Sequence, residues 1–338
     1  MSDLETAQLN SSRQRPALHE PMDPALTTIQ PGGGVIWRWE LAWGRVRRRW
    51  LKTFRRGYVE RMKTMRQGDY NPCPFDVLDS RDLKYYRNQG GYYWKPEDDP
   101  FAWRDRIPFA RVGLAELLVF SVATFGSAAV CAAIASSIEL SRMVNALLWL
   151  VAAAMAVIGG LVVWFFRDPL RPIPQDEGVL VSPADGKIVA IETIEHDEFI
   201  GGPAIMIGIF LSIFNVHINR SPFAARVIGL TYKPGKYLNA LLPRSAVENE
   251  QLAFRLEEIE FPHRRMIVRQ IAGAIARRIV CWLKPGDRLQ RGEQVGMIKL
   301  GSRTELVIEH QPGLEIVAKL GDKVQAGSSV LARYWVEK

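Results

Sequence analysis

Lys284-Pro-Gly-Asp-Arg-Leu-Gln-Arg-Gly-Glu-Gln-Val295 recurs 35 residues later as Lys319-Leu-Gly-Asp-Lys-Val-Gln-Ala-Gly-Ser-Ser-Val330. In each copy a Gly-Asp pair makes a turn, an aliphatic residue points inward, and a second glycine reverses the chain. Ser182-Pro-Ala-Asp-Gly-Lys-Ile-Val189 is a related strand–turn unit. Around these units, short apolar runs at 179–181, 187–191, 204–214, 225–232 and 266–271 are bounded by Gly, Pro, Asp and Asn. Runs of that length with those boundaries read as strands, so residues 168–338 form a mainly β domain.

Strand–turn repeats of this kind are typical of barrel-sandwich hybrids, the fold of lipoyl and biotinyl carriers. No lysine sits in a Met-Lys-Met tip, so the repeat speaks for architecture and not for cofactor attachment. Upstream of the β domain, residues 117–138 carry no charge, and 144–166 hold only Asn145 as a strongly polar residue. At the helical rise each spans about 33 Å or more, enough to cross a bilayer's hydrocarbon layer. The link between them is too short for anything but a hairpin, so residues 112–167 read as a transmembrane helical hairpin. Arg104, Arg106 and Arg111 precede it and Arg167 and Arg171 follow, against a lone Arg142 in the turn. The positive-inside rule places both flanks and the β domain in the cytoplasm, at the cell (inner) membrane.

The formal charge of +8 is local. Residues 35–66 hold eleven Lys or Arg against two Glu, and the remaining 33 basic and 34 acidic residues nearly cancel. A nucleic-acid partner is therefore not expected. Within this block Trp39, Trp43, Val46, Trp50 and Phe54 fall on one helical stripe, with arginines filling much of the rest. That pattern suits an anionic bilayer surface; a basic helix packed by its tryptophans on the protein's own body is one alternative and an RNA-binding segment another. Residues 35–111 are thus a basic, aromatic-rich membrane-surface segment and connector, and the polar stretch 1–34 is expected to be a disordered tail, not a signal peptide. The three cysteines are widely separated, no HExxH or CxxC occurs, and no metal is expected.

Three segments can carry chemistry. Asp185 lies in Ser182-Pro183-Ala184-Asp185-Gly186, where Asp-Gly alone is an ordinary hairpin turn. His217 and Arg220 interrupt the apolar run 210–222. Ser302 follows Gly301 in Lys299-Leu300-Gly301-Ser302. An Asp, a His and a Ser can converge so that a carboxylate orients an imidazole that withdraws the hydroxyl proton.

Phe165-Phe166-Arg167-Asp168-Pro169, then Ser182 to Gly186, then Val216-His217, then Leu300-Gly301-Ser302 resemble the successive signatures of the phosphatidylserine decarboxylases, over about residues 160–338. The resemblance implies a chain that cleaves itself between Gly301 and Ser302. Ser302 Oγ attacks the Gly301 carbonyl, with His217 as base and Asp185 as the orienting acid. Elimination then leaves a pyruvoyl group in place of Ser302, and a large and a small subunit from one proenzyme. It further implies that this covalent pyruvoyl, with neither metal nor pyridoxal phosphate, forms a Schiff base with the serine headgroup and releases carbon dioxide, leaving phosphatidylethanolamine. His217 would then return a proton. Larger members have a second His where this chain has Arg220, which is a candidate substrate contact here; shorter members keep one His, as this chain does. The implied partners are a phospholipid substrate and the bilayer, with room for a homo-oligomer.

Two other readings remain open on the residues alone. A membrane-tethered barrel-sandwich adaptor would fit the repeat, although no long helical insertion is visible after residue 190. A membrane Ser/His/Asp hydrolase would fit the three residues, although GxSxG is absent.

Overall fold

A computed structural model describes residues 19–274, 278–299 and 301–335. The basic segment forms α1 (Val35–Phe54) and α2 (Arg56–Thr64), followed by the short α3 (Ser80–Tyr85). Two long apolar helices come next, α4 (Leu114–Ser137) and α5 (Arg142–Phe165), each 24 residues and so about 36 Å long. Both are long and apolar enough to cross a membrane. They pack side by side as a hairpin, and Gly159 lets the helices approach, since a Cβ there would meet Thr124 and Phe125 of α4.

The rest is β. An eight-stranded antiparallel sheet curls into a half-barrel. It contains β2 (Gly186–Asp197), β3 (Gly202–Leu211), β5 (Ala225–Lys233), β6 (Gln251–Glu258), β7 (Arg265–Ile271), β9 (Arg288–Leu289), β11 (Ser302–Glu309) and β13 (Lys323–Val324), in the order β13-β2-β3-β11-β7-β6-β5-β9. Two three-stranded sheets complete the domain: β4 (Ile218–Arg220), β10 (Gln294–Lys299) and β8 (Arg278–Cys281), with β10 central, and β1 (Val179–Val181), β14 (Val330–Tyr334) and β12 (Leu314–Ile316), with β14 central. Apolar residues of all three sheets share one core, from Leu180 and Ile209 to Val268, Ile298 and Leu331.

The sequence repeat is a structural repeat. Gly286 and Gly321 both have φ of 92°, and Gly292 and Gly327 have 76° and 77°. In both copies the aspartate accepts from the lysine amide at 2.9 Å, Lys284 to Asp287 and Lys319 to Asp322. The partners repeat as well. Gly292 donates to Ser221 and Gly327 to Ser182, each at 2.8 Å, and each serine hydroxyl donates 2.7 Å to the carbonyl two residues on. Ser182-Pro183-Ala184 and Ser221-Pro222-Phe223 are therefore equivalent turns in two halves of one domain.

The N-terminal region differs from the sequence reading. Residues 1–18 lie outside the described residues, but residues 19–34, expected to belong to a disordered tail, are packed. Leu26 and Ile29 are buried in the main core. Ile29 accepts from Cys281 N at 2.8 Å and donates to Tyr85 O at 2.9 Å, so the segment bridges β8 and α3. A few apolar residues spaced along a polar stretch suffice, because neighbouring segments supply the rest of the core.

The orientation of α1 is also a finding. Its aromatic stripe faces outward, with Trp39, Trp43, Trp50 and Phe54 exposed. Its basic side faces the protein: Arg47 meets Asp79 at 2.8 Å, Arg48 meets Asp82 at 2.7 Å, and Glu40 binds Lys84 at 2.8 Å. Part of the basic block is therefore neutralised by this chain's own carboxylates rather than presented outward. Residues 68–111, an irregular connector in the sequence, supply those carboxylates and a small core of Leu78, Leu83, Trp94 and Phe101 around Met62.

Candidate active site

Three chain connections cross the same gap between two sheets. Residues 212–217 lead from β3, which pairs with β11, to β4, which pairs with β10. Residues 272–277 lead from β7, again a partner of β11, to β8, again a partner of β10. Residues 300 and 301 join β10 to β11 themselves. Leu300 and residues 275–277 lie outside the described residues. Topology alone thus brings His217, Gly273, Gly301 and Ser302 to one crossing. Ser302 opens β11 opposite Leu211, and Ile298 N donates to His217 O at 3.2 Å.

Gly301 has φ of +60°, in the left-handed region that glycine enters without a Cβ penalty. Its carbonyl oxygen lies against Gly273, where an added Cβ would overlap it. Ser302 is fully buried, and its Oγ has no hydrogen-bond partner among the described residues. A buried hydroxyl left unpaired costs free energy, so its presence beside the carbonyl in front of it points to function.

His217 is equally buried. Its Nδ1 lies 2.9 Å from the carbonyl of Asn215, which fixes the proton on Nδ1 and leaves Nε2 as the free lone pair. Nε2 has no partner among the described residues. Burial, helped by the charge of Arg167, pushes its pKa from 6.5 down to about 4, so the imidazole is neutral at physiological pH and its lone pair is free to accept a proton. The Phe165 ring lies 4.5 Å from the imidazole. The loop carrying it is pinned to the end of α5, because Trp164 Nε1 and Arg167 Nη2 both donate to Phe214 O, at 3.1 and 3.0 Å.

Two sequence expectations need correction. Asp185, expected to orient His217, is engaged elsewhere. One carboxylate oxygen takes Arg171 Nη2 at 2.8 Å and the other takes Ala326 N at 2.8 Å. The imidazole is oriented instead by the Asn215 carbonyl. Arg220, the candidate substrate contact, reaches Asp168 at 2.9 Å and Gly292 O at 2.9 Å. It ties the Phe166-Arg167-Asp168 segment to a repeat turn, and its side chain is largely buried there. A third arrangement was not read at all. Asn219 Nδ2 donates to Thr304 Oγ1 at 3.0 Å and to Pro183 O at 3.2 Å, and its Oδ1 accepts from Gln270 Nε2 at 2.9 Å. This buried set fixes β4, β7 and β11 to one another beside Ser302. A polar residue at an inward position of each of three strands is the only trace it leaves in the sequence. Gly273 left less, since Ala-Gly-Ala after a strand reads as a plain turn.

The arrangement holds a nucleophile, a neutral base and a peptide carbonyl in one dry place, which suits attack of the chain on itself. A group made from Ser302 fits these surroundings, because the orphaned hydroxyl and the orphaned Nε2 lie at the same crossing and glycines leave the adjoining backbone uncrowded. Comparison with known proteins agrees. A family model described as phosphatidylserine decarboxylase matches residues 158–332. The phosphatidylserine decarboxylase proenzyme of Rhodopirellula baltica is 50% identical over 252 residues, covering 75% of this chain and 99% of that protein. Proteins of the same name from Symbiobacterium thermophilum and Desulfotalea psychrophila are 43% and 44% identical, over 55% and 50% of this chain and 84% and 78% of theirs.

Proposed function

This chain belongs to the phosphatidylserine decarboxylase family, and from that premise we propose that the buried crossing of Gly301, Ser302 and His217 makes the pyruvoyl group with which it works. The enzyme decarboxylates phosphatidylserine to phosphatidylethanolamine and carbon dioxide. Membership removes the adaptor and hydrolase readings. The observation that carries the site assignment is the pair of unpartnered buried groups, Ser302 Oγ and His217 Nε2.

Processing uses only this chain's atoms. Neutral His217 takes the hydroxyl proton as Ser302 Oγ adds to the Gly301 carbonyl carbon, and returns a proton to the Ser302 nitrogen as the C–N bond breaks. The peptide becomes an ester. Loss of the Ser302 Cα proton then expels the Gly301 carboxylate, and water converts the resulting dehydroalanine to a pyruvoyl group and ammonia. The large chain ends at Gly301 and the small one begins at residue 302.

Once formed, the pyruvoyl carbonyl supplies the electron sink for the departing carbon dioxide. His217 serves again by delivering a proton to the substrate carbon that lost its carboxylate. Phe165 and the surrounding core keep water from that carbon. Asp185, Arg171 and Arg220 act as positioning residues that hold the two repeat turns.

We read the hairpin as spanning the cell (inner) membrane with both ends and the β domain in the cytoplasm, on the arginine distribution about it. The outward aromatic stripe of α1 would rest in the same membrane's interface, where Trp is favoured.

The test is release of labelled carbon dioxide from carboxyl-labelled phosphatidylserine in detergent micelles. Release should persist after exhaustive chelation and stop on treatment with a carbonyl reagent such as phenylhydrazine. Release unaffected by the carbonyl reagent would contradict the assignment.

A further inference from the structure

A cavity of about 530 Å³ lies between the start of α1, the end of α5 and the loop before His217, a volume ordinary for a small-molecule site. Its walls include Phe120 of α4, Leu161 and Val162 of α5, and Ile36 of α1. Lys299, Arg278 and Glu116 also line it, two cations against one carboxylate. Glu116 is more than nine-tenths buried; one of its oxygens pairs with Lys299, and Oε2 has no partner among the described residues. Lys299 stands two residues before the Gly301 carbonyl, and Phe165, whose ring touches His217, lines the same cavity. The cavity is therefore one aromatic ring away from the proposed base.

We propose that this cavity receives the glycerol-proximal part of the lipid substrate, with the acyl chains among Phe120, Leu161 and Val162 and the phosphate toward Lys299 and Arg278. The inference rests on the decarboxylase reading and adds the place where the lipid sits. Moving two long acyl chains from an apolar environment into water is costly, so a diacyl lipid cannot bring its headgroup to His217 through solvent. A cavity walled by both membrane-length helices lets the tails remain in apolar surroundings while the headgroup approaches the buried site past Phe165. Lys299 and Arg278 place basic side chains along it where a lipid phosphate would lie.

The experiment compares Leu161→Trp, which fills the cavity, with Leu150→Trp, an exposed position on the same helix that does not line it. The ratio of kcat/KM for dioleoyl to dihexanoyl phosphatidylserine should fall by about ten-fold in Leu161→Trp, since only the long chains need the walls. It should be unchanged in Leu150→Trp. Val162→Phe serves as the second filling variant should Leu161→Trp fail to fold. Independently of activity, the unprocessed Ser302→Ala protein should retain one dioleoyl phosphatidylserine in native mass spectra, and Leu161→Trp in that background should lose it. Unchanged ratio and retention in a folded filling variant would overturn the proposal, as would an equal loss in Leu150→Trp, which would mark the lipid as one of the surrounding bilayer only. Failure of the wild-type chain to process would count against the decarboxylase reading instead, and lipid retention would still decide the cavity.

Discussion

Gly273 and Gly301 meet backbone to backbone: the oxygen of the Gly301 carbonyl, whose carbon is the proposed target of Ser302, occupies the space that a Cβ on Gly273 would need. The two residues are 28 apart in sequence and come together because both lie on connections between the same two sheets. Gly273→Ala should therefore displace the scissile carbonyl while leaving the sheets intact. A displacement of about 1 Å at a reacting centre can cost on the order of a hundred-fold in rate. The half-time of chain cleavage after synthesis, measured beside thermal unfolding, checks this; a variant that cleaves at the wild-type rate would show that the contact has no part in processing.

The depressed pKa of His217 predicts an acid-tolerant processing step. With the value near 4, cleavage should be flat from neutral pH down to about pH 5 and decline only toward 4. A base with the ordinary histidine value near 6.5 would already be about three-quarters protonated at pH 6. Stability follows the same group. Between about pH 4 and 6.5 the unfolded chain binds more protons than the folded one, so this contribution is complete above that window and is lost as pH falls through it. Cleavage rate and denaturant midpoint as functions of pH measure the two separately.

Asp185 binds Arg171 and the Ala326 amide, and a double-mutant cycle should show that its effect runs through Arg171. Asp185→Asn and Arg171→Met each break a buried pair, which costs about 3–5 kcal/mol. The double variant should cost clearly less than their sum, because neither partner is then left buried and charged. Additive losses would mean that Asp185 acts on something other than Arg171.

Much of the fold is legible in the chain because its turns are dictated locally. A glycine at the left-handed position of each Gly-Asp turn leaves little freedom, so Gly286 and Gly321 reach the same φ although half of the surrounding repeat differs. The apolar hairpin is equally plain, since 24-residue charge-poor helices have few other uses. Ser302 and His217 were found through motifs, yet their meeting depends on strand pairing that no spacing reveals. The partner of Asp185 was misread for that reason: Arg171 and Ala326 N lie 14 and 141 residues away, and only folding makes them neighbours. The packing of Leu26 and Ile29 is not legible in the sequence because their segment is polar on average, with Met22 the other apolar side chain it sends against the core.

The inward-facing charges of α1 change what its removal should do. Deleting residues 1–67 would strip Asp79 and Asp82 of Arg47 and Arg48, leaving carboxylates that are almost fully buried today. The truncated protein should lose stability and solubility, beyond any modest weakening of membrane attachment. Retaining α1 with Trp39, Trp43 and Trp50 changed to serine should instead spare the fold and reduce partition onto vesicles, with little dependence on salt. Vesicle flotation at low and high ionic strength together with thermal unfolding separates the two effects.

The central claim is that this chain cuts itself between Gly301 and Ser302 and keeps the serine carbons as a pyruvoyl group. Intact mass of the purified wild-type protein, beside Ser302→Ala, tests it most directly. The wild type should give two chains, the smaller comprising residues 302–338, about a ninth of the 38.2 kDa total, with a pyruvoyl in place of its N-terminal serine. Ser302→Ala should give one uncut chain. A wild-type protein that stays whole while decarboxylating phosphatidylserine, or a small chain that begins with an ordinary serine amine, would contradict the account.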